Sequence, residues 1–517
     1  MSTKKIARAG IIDIGSKSLR LLIGEKTDKG LTVLESLKNV LPLGKDVFYK
    51  ERISQETINA TIHILQKYRL ALQEYDVKNL KIFATTAVRE ARNREVFLDA
   101  VLRNTGFPVE VFTVGDIIYY IDSYLHYKLK GKYPIHEKNV LIVELGAGST
   151  DIAILEKGYM INNTGIPLGS LRLKNVMSKL EGDPQEIRDT LTEYIVNELN
   201  YIKRLIGPIP IDDIILIIED FSAGFSKLLK DPNEFESFTP LSLKQAQTIL
   251  SNCERKSPEE LVHLYGVNQD TAETLEVTAF TIRAFYSLIP KDTLYIFQAS
   301  LSEAVLTNLV AVKDVAQTYK EFKHLIYIAR YLCRRYNADI EHAKAVTSIA
   351  RKLFVDLHHI LGLRKTDVVY LILAAYLHDI GMFISNRAHH KHTDYIIRSL
   401  NLFRVKEEEI RLIAQIARYH RKSQRYDADP SFQALPADMK LLVLKLSALL
   451  RIANALDRSH KQKIGKVIVQ TTKSNEIVLQ VAVNGNAGLE RWAFEDKKDL
   501  FEEISGSKLI LKLEPNE

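Results

Sequence analysis

Two textures alternate along the chain. Its front half carries short apolar runs broken by glycine and hydroxyl residues. From about Glu321 onward, long stretches place apolar residues at helical spacing instead. Residues 9–23 (AGIIDIGSKSLRLLI) set two apolar runs around a glycine and two serines, which predicts a β-hairpin. Residues 141–155 (LIVELGAGSTDIAIL) show the same grammar. Near the end, residues 465–470 and 477–481 return to strand-like alternation, which predicts a small β-rich piece. The longest uncharged apolar stretch, 368–377, runs into His378 and falls well short of the ~20 residues needed to cross a bilayer, so a buried segment is expected there.

Length and composition narrow the class. The 517 residues, 46% hydrophobic and 26% charged, exclude a disordered, collagen-like or disulfide-stapled chain. At roughly 100–200 residues per domain, three or four domains are expected. They are expected at 1–130, 131–315, 320–462 and 463–517. Cys253 and Cys333 stand alone, which excludes a cysteine-based zinc site. The first residues are basic, but the apolar run after them is broken by Asp13 and has no small-residue cleavage pattern, so no signal peptide and a cytoplasmic location are expected. The +7 net charge suits a polyanionic partner without identifying one.

The two hairpins are in phase. Aligning Asp13 with Glu144 puts Gly15 on Gly146 and Ser18 on Ser149, so acid, glycine and hydroxyl recur together as an internal repeat. A glycine turn lets the backbone fold tightly, and flanking hydroxyls add donors, so such a turn can hold phosphate. Two like domains, each offering an acid and such a turn to a shared cleft, would let Mg²⁺ bridge carboxylate and phosphate oxygens. A carboxylate inside the apolar run before Gly146 is costly to bury alone, so Glu144 is expected to face that cleft.

With these hairpins, residues 83–91 (FATTAVREA), 165–173 (GIPLGSLRL) and 302–306 (SEAVL) follow in the order seen in the Ppx/GppA phosphatases, which the chain resembles over nearly its whole length. This resemblance implies an α/β architecture of two actin-like ATPase (ribonuclease H-like) domains, then an all-α HD-like domain and a small β-rich C-terminal domain. It also implies Mg²⁺-dependent removal of terminal phosphate from inorganic polyphosphate or guanosine pentaphosphate, in a cleft between the first two domains, by a homodimer. No membrane and no specific nucleic acid are expected as partners. Gly15, Ser16, Lys17, Ser18, Gly146, Ala147, Gly148 and Ser149 are expected to cradle phosphate, and Asp13 and Glu144 to hold the metal or orient the nucleophile. Arg89 is expected to fork onto phosphate oxygens, with a surface ion pair as its plainer alternative. Arg172 is read in the same way.

The chain also departs from that family. Its general base is a glutamate in a Ser-Gly-x-Glu-Glu-Ala pattern, where this chain reads TVGDIIY at 113–119. Anchoring on 109–110 places Asp116 at the base position, and anchoring on the glycine places Ile117 there. Asp116 is the only carboxylate on offer, and its alternative task is capping the helix that follows. Lys17 stands for the usual Asn, Glu144 for Asp and Ala147 for Gly, and residues 222–225 only loosely match a later small-residue loop. Lys17 either adds a cation for the polyanion or fills the pocket.

In the helical half, His342, the doublet His378-Asp379 and Asp457 resemble the ligand set of the HD phosphohydrolase domain, an expected site for Mg²⁺, Mn²⁺ or another divalent ion. Residues 388–392 (AHHKH) and 418–422 (RYHRK) are expected to form a basic, His-rich surface for polyanion contact. Two competing readings are an HD nucleotide phosphohydrolase and a catalytically weak sensor that binds polyphosphate or the alarmone.

Overall fold

The computed structural model describes residues 8–27, 30–218, 238–289, 291–310, 315–400, 402, 405–421, 429–472 and 476–515, and the 222–225 loop lies outside them. The chain divides into two compact units, Met1–Thr318 and Tyr319–Glu517. The first two expected domains therefore share one unit, and the helical region shares the other with the β-rich end.

In the first unit, β1 (Arg8–Ile14), β2 (Ser18–Thr27), β3 (Gly30–Val40), β4 (Asn79–Ala84) and β5 (Glu110–Val111) form one sheet in the order β3-β2-β1-β4-β5. The second sheet contains β6 (Val140–Leu145), β7 (Thr150–Glu156), β8 (Tyr159–Ile166), β9 (Asp213–Ile217), β10 (Phe238–Ser242) and β11 (Thr293–Phe297) in the order β8-β7-β6-β9-β11-β10. Each sheet begins with an antiparallel meander whose first strand pairs in parallel with the next strand after a crossover, β1 with β4 and β6 with β9. The repeat read from the hairpins thus extends to whole sheets.

The central strands are apolar because both their faces are covered. Ile11, Ile12 and Ile14 on β1, and Val140 to Val143 on β6, are fully buried. Helix Gln55–Glu74 starts where the Ser54 hydroxyl accepts from the Thr57 amide, and it buries Ile58, Leu65, Tyr68 and Leu72 on one face. Buried side chains of this size each contribute roughly 1.5–3 kcal/mol of transfer free energy.

The two turns close identically. The Gly15 amide donates to Ser18 O and the Gly146 amide to Ser149 O, both at 3.0 Å. Later segments hold each turn from behind: the Gly44 amide donates to Ser16 O at 2.8 Å, and the Ser170 and Leu171 amides donate to Gly146 O and Ala147 O at 3.1 and 2.9 Å. Gly169 lies so close to the second turn that a Cβ there would overlap the Ala147 and Gly148 backbone.

In the second unit, helices Ile340–Leu357, Val368–Leu377, His389–Arg398, Glu407–Arg418 and Ala437–Ala455 pack together. The strands β12 (Ile464–Thr471), β13 (Glu476–Val483) and β14 (Lys508–Pro515) form a sheet in that order. Between β13 and β14, helices Gly488–Lys497 and Asp499–Ser505 pack onto Ala437–Ala455. That packing makes the β-rich end part of the helical unit. Among the described residues, 365–383 is the one helical stretch with the length and apolarity of a membrane span, and Leu371 to Ala375 and Leu377 within it are buried in the unit's core.

Candidate functional site

Both turns open onto one cavity of about 180 Å³ in the first unit. Asp13, Gly15, Ser16, Lys17 and Ser18 line it from one hairpin, and Glu144, Gly146, Ala147, Gly148 and Ser149 from the other. All the expected phosphate-cradling residues except Arg89 meet here. Arg20 and Lys38 add positive charge to the wall, and the helix carrying Thr278 and Thr281 supplies hydroxyls. Lys17 does not stay on its own side: its Nζ donates to Thr274 Oγ1 at 3.2 Å. Ser302, in the weakest of the sequence motifs, donates its hydroxyl to Asp13 Oδ2 at 2.7 Å. Burial pushes the Asp13 carboxyl up, against the pull of that bond and of Arg20 and Lys38.

A third carboxylate in this cavity was not singled out from the sequence. Asp151 on β7 is fully buried, and neither of its oxygens has a hydrogen-bond partner. Burial pushes its carboxyl up; the Arg89 guanidinium lowers it by charge, and the nearby Ser149 hydroxyl does so without reaching hydrogen-bond geometry. The signal was present in the sequence, since the hairpin alignment carried two residues past Ser18 and Ser149 reaches Arg20 and Asp151.

Asp116 takes another place. Its carboxylate accepts from the Thr113 amide at 3.0 Å and hydroxyl at 2.7 Å, while the Thr113 hydroxyl accepts from the Asp116 amide. This capping box starts helix Val114–Lys128, and Asp116 is not among the residues lining the cavity. Ile117 is, so the position facing the cavity is apolar. Arg89 also differs from expectation, because its guanidinium donates to Phe112 O at 3.0 Å and Thr86 Oγ1 at 3.2 Å and does not line the cavity. Through Thr86, whose hydroxyl is 2.9 Å from Ser149 Oγ, Arg89 braces the second turn. Arg172 does the same from the other side: its Nε donates to Gly148 O at 2.9 Å, and its guanidinium pairs with Glu90 and lies over Phe48.

The helical unit gathers its own titratable cluster. His342 comes from helix Ile340–Leu357, His378 and Asp379 follow the end of Val368–Leu377, and Asp457 follows Ala437–Ala455. His342, His378 and Asp379 converge, whereas Asp457 stands behind His342. Its Oδ2 lies 2.8 Å from His342 Nδ1, and the carboxylate also accepts from Gln462. His389 and His420, expected on a basic surface, are instead buried and face Asp379 at 3.3 and 3.7 Å. Ala388 reaches φ 57° to start the His389 helix, and Gly381 has no room for a Cβ against His389 O and Thr393. Burial pushes the Lys497 ammonium of this unit down to about 8, with Arg458 acting in the same sense and the Asp379 carboxylate opposing.

Comparison with known proteins bears on the family and the fold. Residues 22–311 match the Ppx/GppA phosphatase family, and residues 328–498 match domain III of Ppx/GppA phosphatase. The guanosine-5'-triphosphate,3'-diphosphate pyrophosphatase of Vibrio parahaemolyticus is 21% identical over 488 residues, covering 91% of each chain. The crystal structure of the Aquifex aeolicus Ppx/GppA family member aligns with 59% of this chain and 98% of its own, at 25% identity and TM-score 0.50. An exopolyphosphatase from Cytophaga hutchinsonii aligns with 59% of this chain and 99% of its own, at 21% identity and TM-score 0.53. With residues 22–311, more than half of its length, matching the family model, the chain belongs to the Ppx/GppA phosphatase family.

Proposed function

We propose that the cavity between the two hairpins hydrolyses the terminal phosphoanhydride of a linear polyanion, inorganic polyphosphate or guanosine pentaphosphate. The observation that carries this reading is the meeting of three carboxylates, Asp13, Glu144 and Asp151, with two glycine-serine turns and the cations Lys17, Arg20 and Lys38 around one space. The carboxylates suit a hard divalent ion such as Mg²⁺, which when bound would neutralise phosphate charge. Asp13 Oδ1 is buried without a partner, which fits that role.

In the proposed chemistry the turns and cations seat the terminal phosphoryl group, and water attacks it in line with the bridging oxygen. The water oxygen joins phosphorus, the P–O bond to the rest of the chain breaks, and the electron pair leaves on the shortened polyanion. Asp151 takes the water proton in place of Asp116, because a carboxyl whose pKa is raised is the better base near neutrality. Ile117 on the cavity wall favours a second reading, retention of the polyanion with slow turnover, since an apolar side chain there can neither take a proton nor orient water.

Phosphate release from long-chain polyphosphate and guanosine pentaphosphate, measured with Mg²⁺, tests both. Asp151→Asn and Glu144→Gln are expected to lose about 10²-fold or more in rate. Unchanged rates in both variants overturn the assignment to this cavity, and saturable binding without release in the wild type selects the slow-turnover reading.

A further inference from the structure

The SEAVL segment at 302–306 makes contacts on two sides. It belongs to helix Leu301–Val310, which starts where the Ser300 hydroxyl accepts from the Glu303 amide and Ser300 O from the Ala304 amide, both at 3.0 Å. On one side Tyr124 donates its hydroxyl to Glu303 Oε2 and Asn308 Nδ2 donates to Tyr119 Oη, both at 3.3 Å, which ties the helix to Val114–Lys128. On the other side the helix packs on β1 and β2, where a Cβ on Gly24 would crowd Leu306.

These contacts fix the place of Ser302, which is 1% exposed and does not itself line the cavity. Its hydroxyl donates to Asp13 Oδ2 at 2.7 Å, the short distance of a bond to a carboxylate. That bond sets how the Asp13 carboxyl group is turned. Oδ2 goes to Ser302, while Oδ1 is buried without a partner beside the Gly15 turn. A carboxylate held in this way has one oxygen to offer an ion. Mg²⁺ demands near-octahedral geometry with few protein ligands, whereas the larger Ca²⁺ collects about six to eight oxygens and often takes both from one carboxylate.

Resting on the divalent ion proposed for the cavity, we infer that Ser302 is a positioning residue that limits Asp13 to ligation through Oδ1 and so tunes the cavity toward Mg²⁺ and against Ca²⁺. Ser302 touches neither ion nor phosphate. It acts through Asp13, as groups behind a metal ligand orient that ligand.

The test follows Mn²⁺ bound to the full chain by electron paramagnetic resonance and displaces it with Mg²⁺ or Ca²⁺. The ion that Asp13→Asn removes is the cavity ion, which separates it from ions held in the helical unit. Wild-type protein is expected to prefer Mg²⁺ over Ca²⁺ for that ion's place. Ser302→Ala is expected to lower this preference about tenfold, mostly by weakening Mg²⁺, and Ser302→Thr, which keeps the hydroxyl, to stay within about twofold of wild type. A wild-type preference for Ca²⁺ overturns the inference without recourse to a variant. An unchanged preference in folded Ser302→Ala, or an equal loss of preference in Ser302→Thr, overturns it too and leaves the cavity's ion in place. If Asp13→Asn keeps every Mn²⁺ of the wild type, the ion proposed for the cavity falls, and the role of Ser302 with it.

Discussion

Glu144 and Asp151 face each other across β6 and β7, where the first hairpin pairs Asp13 with Arg20. Directly opposed residues of an antiparallel pair share one face of the sheet, and like charges there repel. The duplication therefore carries acid against base on one side of the cavity and acid against acid on the other. The acid pair is the side of the cavity that suits the divalent ion proposed above.

That pair has a pH signature. The Asp151 carboxyl is raised in the folded protein, so the folded state favours its neutral form; the associated stability is full below the unfolded value and is lost as pH rises through the folded one. In chelator at pH 7, Asp151→Asn is expected to raise the melting temperature, on the order of a few degrees, and the gain is expected to shrink toward pH 3. A melting temperature unchanged or lowered at pH 7 would contradict the unpaired charge. Calorimetry across that range provides the check.

Ile117 offers a gain-of-function counterpart. A carboxylate placed at this wall position would add a proton acceptor facing the cavity, so Ile117→Glu is expected to speed phosphate release by about tenfold or more with little change in KM. Steady-state kinetics on polyphosphate decides it. No gain in a folded variant would count against slow turnover caused by the missing acid.

Arg89 donates to Phe112 O and Thr86 and lies off the cavity wall, so it is expected to act on Asp151 through charge and not on phosphate through contact. Its guanidinium lowers the Asp151 carboxyl, so Arg89→Gln is expected to move the acidic limb of the pH–rate profile to higher pH while changing KM less than threefold. A large rise in KM with an unmoved limb would restore Arg89 as a direct phosphate ligand.

Lys17 reaches across to Thr274, so its charge sits inside the cavity proposed to hold the polyanion. Lys17→Asn is expected to weaken polyphosphate binding severalfold and to reduce its salt dependence, as loss of one cation should. Tighter binding in the variant would instead show that Lys17 fills the pocket. Binding isotherms at two ionic strengths separate these outcomes.

Much of this was legible in the sequence because a glycine turn between apolar runs is a local signal. Asp13, Glu144 and both turns could be found by spacing alone, and the structure gathers them around one space. Asp116 and Arg89 could not be placed that way. Whether a carboxylate at a helix start faces a cavity or its own backbone is decided by about one residue of helical rotation, which set Asp116 on the cap and Ile117 on the wall. The histidines at 389 and 420 read as surface because their neighbours are charged. Their burial follows from helix ends meeting in three dimensions, and no local pattern records that meeting.

Gly169 never touches the cavity, yet it leaves the second turn no room to breathe. Any side chain there would wedge the loop open from behind, so the proposed hold on phosphate depends on the hydrogen atom that Gly169 presents to the back of the turn. Such a position would be silent in every search for contacts and intolerant in every survey of variants. Rigidity of this kind is set before any ligand arrives.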